Sequence, residues 1–182
     1  MVRFLLISLL LTTCLTLSAQ KNFVNSYGFH GYNKGIDIVH HTNGYLVGGN
    51  SSDQTGQTQI YLLKINNQGD PLWDLSYFKN SITTIYQLKL FSPDSIVLAG
   101  SRHASNNSEY EYFVSLVDSS GNIYWEKSFG GDGWQQISSM YLHNNNIIAG
   151  GYTLIDSVGY YQPEILKINN SGAIVSQRQL AS

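Results

Sequence analysis

Three glycines, Gly49, Gly100 and Gly151, stand 51 residues apart, each closing an apolar run (YLVGG, IVLAG, IIAGG). Each is followed about 20 residues later by another glycine, Gly69, Gly121 and Gly172. Self-similarity at a fixed period of this length marks an array of like supersecondary units, each unable to bury its apolar surface alone. The period divides the chain into repeats at about 28–77, 78–129 and 130–180.

Aligning the copies on their glycines gives four strand candidates per unit. The first spans Ile36 to His41, Ile85 to Leu90 and Ile137 to Leu142; the second is the run that ends on the periodic glycine. The third comprises Ile60 to Ile65, Tyr112 to Val117 and Ile165 to Ile168; the fourth comprises Leu72 to Tyr77, Ile123 to Phe129 and Ile174 to Leu180. These segments are rich in Ile, Val, Tyr and Phe and are bounded by Asn, Asp, Ser and Gly, as β-strands joined by tight turns are. NNQG, DSSG and NNSG before the fourth strand supply residues that tolerate left-handed backbone.

The third strand decides the architecture, because alternate residues of a strand point to opposite faces. Tyr61, Leu63 and Ile65 fall on one face with Ile60 and Leu62 on the other, and the second copy sets Phe113 and Val117 against Tyr112, Val114 and Leu116. Both faces are apolar. Small sheets covered on both sides are the blades of a β-propeller, so the expectation is an all-β chain of antiparallel four-stranded blades forming a partial, about three-bladed propeller. A β-trefoil also has three units of four strands. It ranks second because its strands would bury one face toward a common barrel.

The fourth strand carries aromatic residues four apart, Trp73 with Tyr77 and Trp125 with Phe129, hence on one face. They are expected to act as packing anchors between blades, together with Gly49, Gly100 and Gly151. LVDSSGNIYWEKSFGG (116–131) and the weaker KINNQGDPLWDLSY (64–77) resemble the repeat of secreted bacterial propeller proteins common where type IX secretion operates. The Asp-x-x-Gly-x-x-x-Trp element is also similar to the tryptophan-docking motif of quinoprotein-like propellers. This resemblance covers nearly all of the chain after residue 19 and implies a blade without naming a substrate. The third copy departs from it, with Ser176 in place of the Trp followed by Arg178, and reads as an end cap. Phe23 and Tyr27 repeat the spacing of Trp73 and Tyr77, so residues 22–27 read as an extra copy of the fourth strand.

Residues 1–19 read as a secretory signal peptide: Arg3 gives a positive start, Phe4 to Leu17 an apolar stretch, and Leu17-Ser18-Ala19 a small-residue end. The domain proper is then 20–182. A lipoprotein box ending at Cys14 is the weaker reading, since two threonines precede the cysteine and the apolar stretch runs past it. The one cysteine leaves with the signal, so neither a disulfide nor Cys-based chemistry is expected. With Arg3 removed, nine of the ten basic residues remain against twelve acidic ones, scattered singly. No basic footprint for nucleic acid exists, and no later segment is apolar for long enough to span a bilayer. The expected destination is exported: extracellular, cell surface or periplasm.

Propellers typically have about four to eight blades, and an open array of three leaves apolar faces that want partners. A homodimer closing a ring, docking on another protein through the open blade faces, or membership of a longer array would each cover them.

Catalytic signatures are absent from the sequence. His40 and His41 are adjacent, so on a strand they point apart and read as a solvated or hydrogen-bonded pair. GGDG at 130–133 lacks the Lys and Ser/Thr of a phosphate loop and the alternating carboxylates of a calcium loop; it reads as an inter-blade turn with Trp134 beside it. No cofactor or metal is expected. The best binding surface is the loop after each periodic glycine, which emerges on one rim in every copy. NSSDQTGQT, SRHASNNSEYE and YTLIDSVGYYQ are long, polar and, in two copies, Tyr-bearing. Their candidate contacts are Asp53, Gln54, Arg102, His103, Tyr110, Asp156 and Tyr160, suited to a protein or glycan partner. Asp94-Ser95-Ile96 and Asp156-Ser157-Val158 also resemble the acceptor of bacterial O-glycosylation. The expected function is a noncatalytic binding or scaffolding module; the alternative is a piece of a larger propeller enzyme, glycan-cleaving or quinoprotein-like.

Overall fold

The computed structural model describes residues 23–28, 32–52, 57–77, 81–103, 109–155 and 159–180. The signal peptide read at 1–19, with Cys14, lies outside them, as do Asp53, Gln54 and Asp156. The described residues hold twelve strands and no helix. They run β1 (Asn33–His41), β2 (Gly44–Ser52), β3 (Thr58–Asn66), β4 (Pro71–Tyr77), β5 (Thr83–Ser92), β6 (Ser95–His103), β7 (Tyr110–Asp118), β8 (Ile123–Phe129), β9 (Trp134–His143), β10 (Asn146–Ile155), β11 (Tyr160–Asn169) and β12 (Ile174–Gln179).

They form three separate four-stranded antiparallel sheets in simple meander order, β1 to β4, β5 to β8 and β9 to β12. Each sheet is one blade. The blades stack side by side, β1 against β5 and β5 against β9, in a three-bladed, unclosed propeller-like array, and no common barrel of the trefoil kind is formed.

Two cores fill the two gaps between sheets. Leu46, Ile60 and Leu62 of blade 1 meet Leu88, Ile96, Leu98, Phe113 and Val117 of blade 2. On its other side, blade 2 presents Val97, Ala99, Tyr112, Val114 and Leu116 to Ile137, Met140, Ile147, Leu166 and Ile168 of blade 3. Consecutive residues of β6 and β7 thus enter opposite cores, which is why neither strand alternates. Blade 3 does alternate on its free side, where Ser176 and Arg178 stand opposite Lys167 and Ile165. Its β12 is exposed throughout.

The periodic glycine has a steric origin. Each inner strand carries a bulge, at Ile36, Tyr86 and Ser138, and the glycine pairs with the residue just before it: Gly49 with Gly35, Gly100 with Ile85, Gly151 with Ile137. There the neighbouring backbone folds so close that a Cβ would collide with the carbonyl oxygens of Lys34, Thr84 and Gln136 respectively. None of the three glycines has positive φ. The requirement is room, not conformation.

The residue just past the bulge reaches the next blade with its side chain. Asp37 Oδ2 accepts from the Leu88 amide at 3.1 Å, and Gln87, its counterpart in blade 2, accepts through Oε1 from the Met140 amide at 2.9 Å. Asn50 adds a buried two-way bridge: its amide donates to the Ile85 carbonyl and accepts from the Ile85 N–H, both at 2.9 Å. His41, also buried, meets the Lys64 Nζ through Nδ1 at 2.6 Å and the Pro93 carbonyl through Nε2 at 2.9 Å. Its neighbour His40 packs edge-on to Tyr45. The adjacent histidines therefore point apart, one into a hydrogen-bonded link to blade 2.

The second glycine series closes three copies of one turn. Asn66, Asp118 and Asn169 each cap the amides two and four residues ahead through their side-chain oxygen, and Gly69, Gly121 and Gly172 sit at φ 84°, 91° and 81°. Each glycine is also a seat for the preceding fourth strand. Gly121 faces Leu75 and Tyr77, and Gly172 faces Trp125 and Lys127; the Tyr77 hydroxyl donates to the Gly121 carbonyl, and the Trp125 indole N–H donates to the Asn170 carbonyl at 2.9 Å. Burial, aided by the Asp118 charge, pushes the Tyr77 hydroxyl up to about 12. Residues 23–28 are not a strand, yet they take the corresponding seat on blade 1: Phe23 lies over Gly69, and the Tyr27 hydroxyl donates to the Gly69 carbonyl. Phe129 packs against the second core.

Two outcomes follow. Gly100→Ala forces backbone to move at the bulge and should destabilise by about 1–3 kcal/mol, whereas Gly150→Ala, whose Cβ meets nothing within 4 Å, should change stability by less than about 0.5 kcal/mol; urea unfolding of both variants makes the comparison. Burial raises the Asp118 carboxyl, but hydrogen bonds from Asn122 and from the amides of Asn122, Ser120 and Gly121 outweigh it and hold the carboxyl below the usual range. A lowered folded value contributes stability above the unfolded value of about 3.9, lost as pH falls through the folded one. Asp118→Asn should lower neutral-pH stability, because the carboxylate's contribution is lost and Asn122 Nδ2 no longer has an acceptor in Oδ2. It should also flatten the acid limb of the thermal-melting pH profile.

Candidate functional site: an aromatic cleft on the rim

A cleft of about 390 Å3 opens at the edge where β3, β7 and β11 begin and β2, β6 and β10 end. This is the rim from which the loops after the periodic glycines leave. Its wall is dominated by five rings: Tyr86 from β5, Tyr110 from β7, Trp134 from β9, Tyr152 from β10 and Tyr161 from β11. Each strand places its ring for a local reason. Tyr86 is the bulge residue of β5, skipped by the ladder. Tyr152 follows the crowded Gly151. Tyr110 and Tyr161 lie at the starts of their strands, where the sheet meets solvent.

The rings are held against one another. His103 packs edge-on to Tyr110 at 5.4 Å between centroids, and Tyr110 packs against Trp134 at 5.3 Å, carrying the row from blade 2 to blade 3. Tyr152 and Tyr161 meet at 4.9 Å, nearly perpendicular, and the Tyr152 hydroxyl donates to Gln136 Oε1 at 3.1 Å. Edge-to-face pairs of this kind contribute about 0.5–1.5 kcal/mol beyond burial, so the rings are fixed before any ligand arrives. Burial, and then the neighbouring Tyr161 and Tyr86 hydroxyls, raise the Tyr152 hydroxyl above its ordinary value, so it is a neutral donor throughout the physiological range. Trp134 remains 43% exposed and offers a free surface to a guest. Thr84, Ser101 and Gln136 interleave polar groups with the rings.

Of the residues expected from sequence, His103 and Tyr110 are brought together here and Tyr160 stands on the adjoining edge, half exposed. Arg102 is not part of the cleft. Its guanidinium stacks over the Phe113 ring at 4.4 Å and reaches Glu126 at 3.0 Å and Thr83 at 3.2 Å, tying blade 2 together. Ser95 of the first glycosylation-like triplet is buried with its hydroxyl 2.7 Å from that of Ser92, so it presents no free acceptor; Asp156-Ser157-Val158 lies outside the described residues. The readings missed were Tyr86, Tyr152 and Tyr161, together with Trp134 as a site residue rather than a turn packer. One signal pointed to Tyr152: the residue after each periodic glycine, Asn50, Ser101 or Tyr152, always faces the neighbouring blade or this cleft.

Among the described residues, no group of three or more His, Cys, Asp or Glu could hold a metal ion, and no helix is long and apolar enough to cross a membrane. No family model matches the chain, and no curated protein matches it. Among solved structures, a variant of the apocarotenoid oxygenase of Synechocystis is similar to it at 12% identity and a TM-score of 0.44, over 75% of this chain. The chain spans 35% of that protein's length.

Proposed function

We propose that this chain is an exported, noncatalytic propeller-type binding module that holds a glycan in the aromatic cleft. The observation that carries the reading is the row of prearranged rings interleaved with hydroxyl and amide groups on one rim of a rigid array. Sugars present apolar C–H faces and hydroxyl edges, and a ring beside a polar group matches both at little entropic cost. A recognition site in loops and strand ends, borne by a stiff scaffold, is a usual arrangement for binding. The resemblance of the repeats to secreted bacterial propellers and the signal-like residues 1–19 support export to the cell surface or periplasm.

Tryptophan emission should report the interaction, since Trp134 is the exposed indole in the cleft. Titration with a panel of soluble oligosaccharides is expected to give saturable quenching with at least one of them. Measured by calorimetry, which does not depend on the Trp134 indole, Trp134→Ala and Tyr110→Ala should each weaken that binding about tenfold, the factor set by roughly 1.4 kcal/mol, while Tyr160→Ala changes it little. Equal affinity in wild type and Trp134→Ala would sink the glycan reading. For export, the chain secreted from its native host should begin near Gln20 by intact-mass measurement, and recovery of the full-length chain in the cytoplasmic fraction would count against it.

A further inference from the structure

A second cavity, of about 630 Å3, lies between the outer halves of blades 2 and 3 and shares one wall residue, Gln135, with the aromatic cleft. At its base Glu164 is only 3% exposed. The carboxylate accepts from Thr153 Oγ1 at 3.2 Å, Gln177 Nε2 at 2.8 Å and Gln179 Nε2 at 3.3 Å. All three donors are neutral, and no cation among the described lining residues pairs with the carboxylate. The lining adds two more carboxylates, Glu111 and Asp132, and contains no Lys, Arg or His.

Gln135 supplies the independent observation. It is also 3% exposed. Its Nε2 donates to the Asp132 carbonyl at 3.1 Å, which fixes the amide and leaves Oε1 buried without a donor among the described residues. That oxygen points over Gly130, where a Cβ would stand 2.5 Å from it and 3.2 Å from Glu111 Cγ. The glycine keeps this space clear. The cavity is therefore an acceptor-lined, negatively charged hollow, with Phe129, Ile155 and Ile174 as its apolar side.

Its complement must bring N–H donors and positive charge. An anion is repelled, a bare metal ion lacks a ligand set, and a neutral polyol would leave the Glu164 charge uncompensated. We infer that this cavity is a binding site for an organic cation, an ammonium or guanidinium group whose N–H donors reach Glu164 and Gln135 while its aliphatic stem lies along Phe129 and Ile174. The same group is carried by a lysine or arginine side chain of a protein and by a free small amine.

The test is calorimetric titration of the intact protein with Nα-acetyl-L-arginine amide, Nα-acetyl-L-lysine amide and agmatine, with D-glucose as the neutral control. Saturable binding of at least one cation at a single site is expected. Agmatine alone would mark a free-amine site, and a blocked amino acid would mark a protein side chain as the natural guest. Glu164→Gln and Gln135→Met should each weaken binding by about tenfold or more, as loss of a buried charged or polar partner does. Trp134→Ala, which disables the aromatic cleft, should leave it unchanged, so this inference and the glycan reading fail separately. Gln135→Met leaves Glu164 and its three donors in place, so it reports on the site even where Glu164→Gln unfolds. The inference is overturned by absence of saturable heat with all three cations, by unchanged affinity in folded Gln135→Met, or by competition from D-glucose.

Discussion

The close approach of β2, β6 and β10 to the bulged inner strand of each blade is the constraint on which the rest of this structure depends. At Gly49, Gly100 and Gly151 the two backbones leave no space for a side chain, and the bulge beside them takes one residue out of the ladder. Just past each of the first two bulges, a side chain of one blade accepts from an amide of the following blade, Asp37 from Leu88 and Gln87 from Met140. The blades are consequently joined by directional bonds as well as by the two apolar cores. Packing alone would permit them to slide, whereas a buried amide with one fitting acceptor sets the register.

The same irregularity builds the cleft. Tyr86 reaches the rim because the ladder skips it, and Tyr152 follows directly on the crowded glycine. Scaffold and cleft therefore share residues, and the edge that carries the cleft is formed by strand ends belonging to neighbouring blades.

Much of the architecture was legible in the sequence because it repeats. The period located twelve strands, the unbroken apolar runs of β6 and β7 announced a sheet buried on both faces, and the polar departures at Ser176 and Arg178 marked the terminal blade. The site was less legible. Its rings come one from each of five strands, and only Tyr110 and Tyr161, 51 residues apart, share a repeat position: Tyr86 answers to Ile36 and Ser138, and Trp134 stands where no other copy has an indole. A period reports what all copies share, and most of the cleft is made from what only one copy has. Arg102 misled for a related reason, since an arginine in a polar loop sequence looks free until Glu126 and Phe113 are found beside it. The pair Glu164 and Gln135 gave no sequence signal, because neither belongs to a motif and burial is a property of the assembled blades.

The segment around Phe23 and Tyr27 has a mechanical implication. It fills on blade 1 the seat that β4 fills on blade 2 and β8 on blade 3: the Tyr27 hydroxyl meets the Gly69 carbonyl as the Tyr77 hydroxyl meets that of Gly121, while on blade 3 the Trp125 indole reaches the Asn170 carbonyl instead. That seat is the attachment point by which one blade holds its predecessor. Each of the three turns is thus covered by residues that precede its own blade, and loosening Phe23 and Tyr27 would uncover the turn of blade 1.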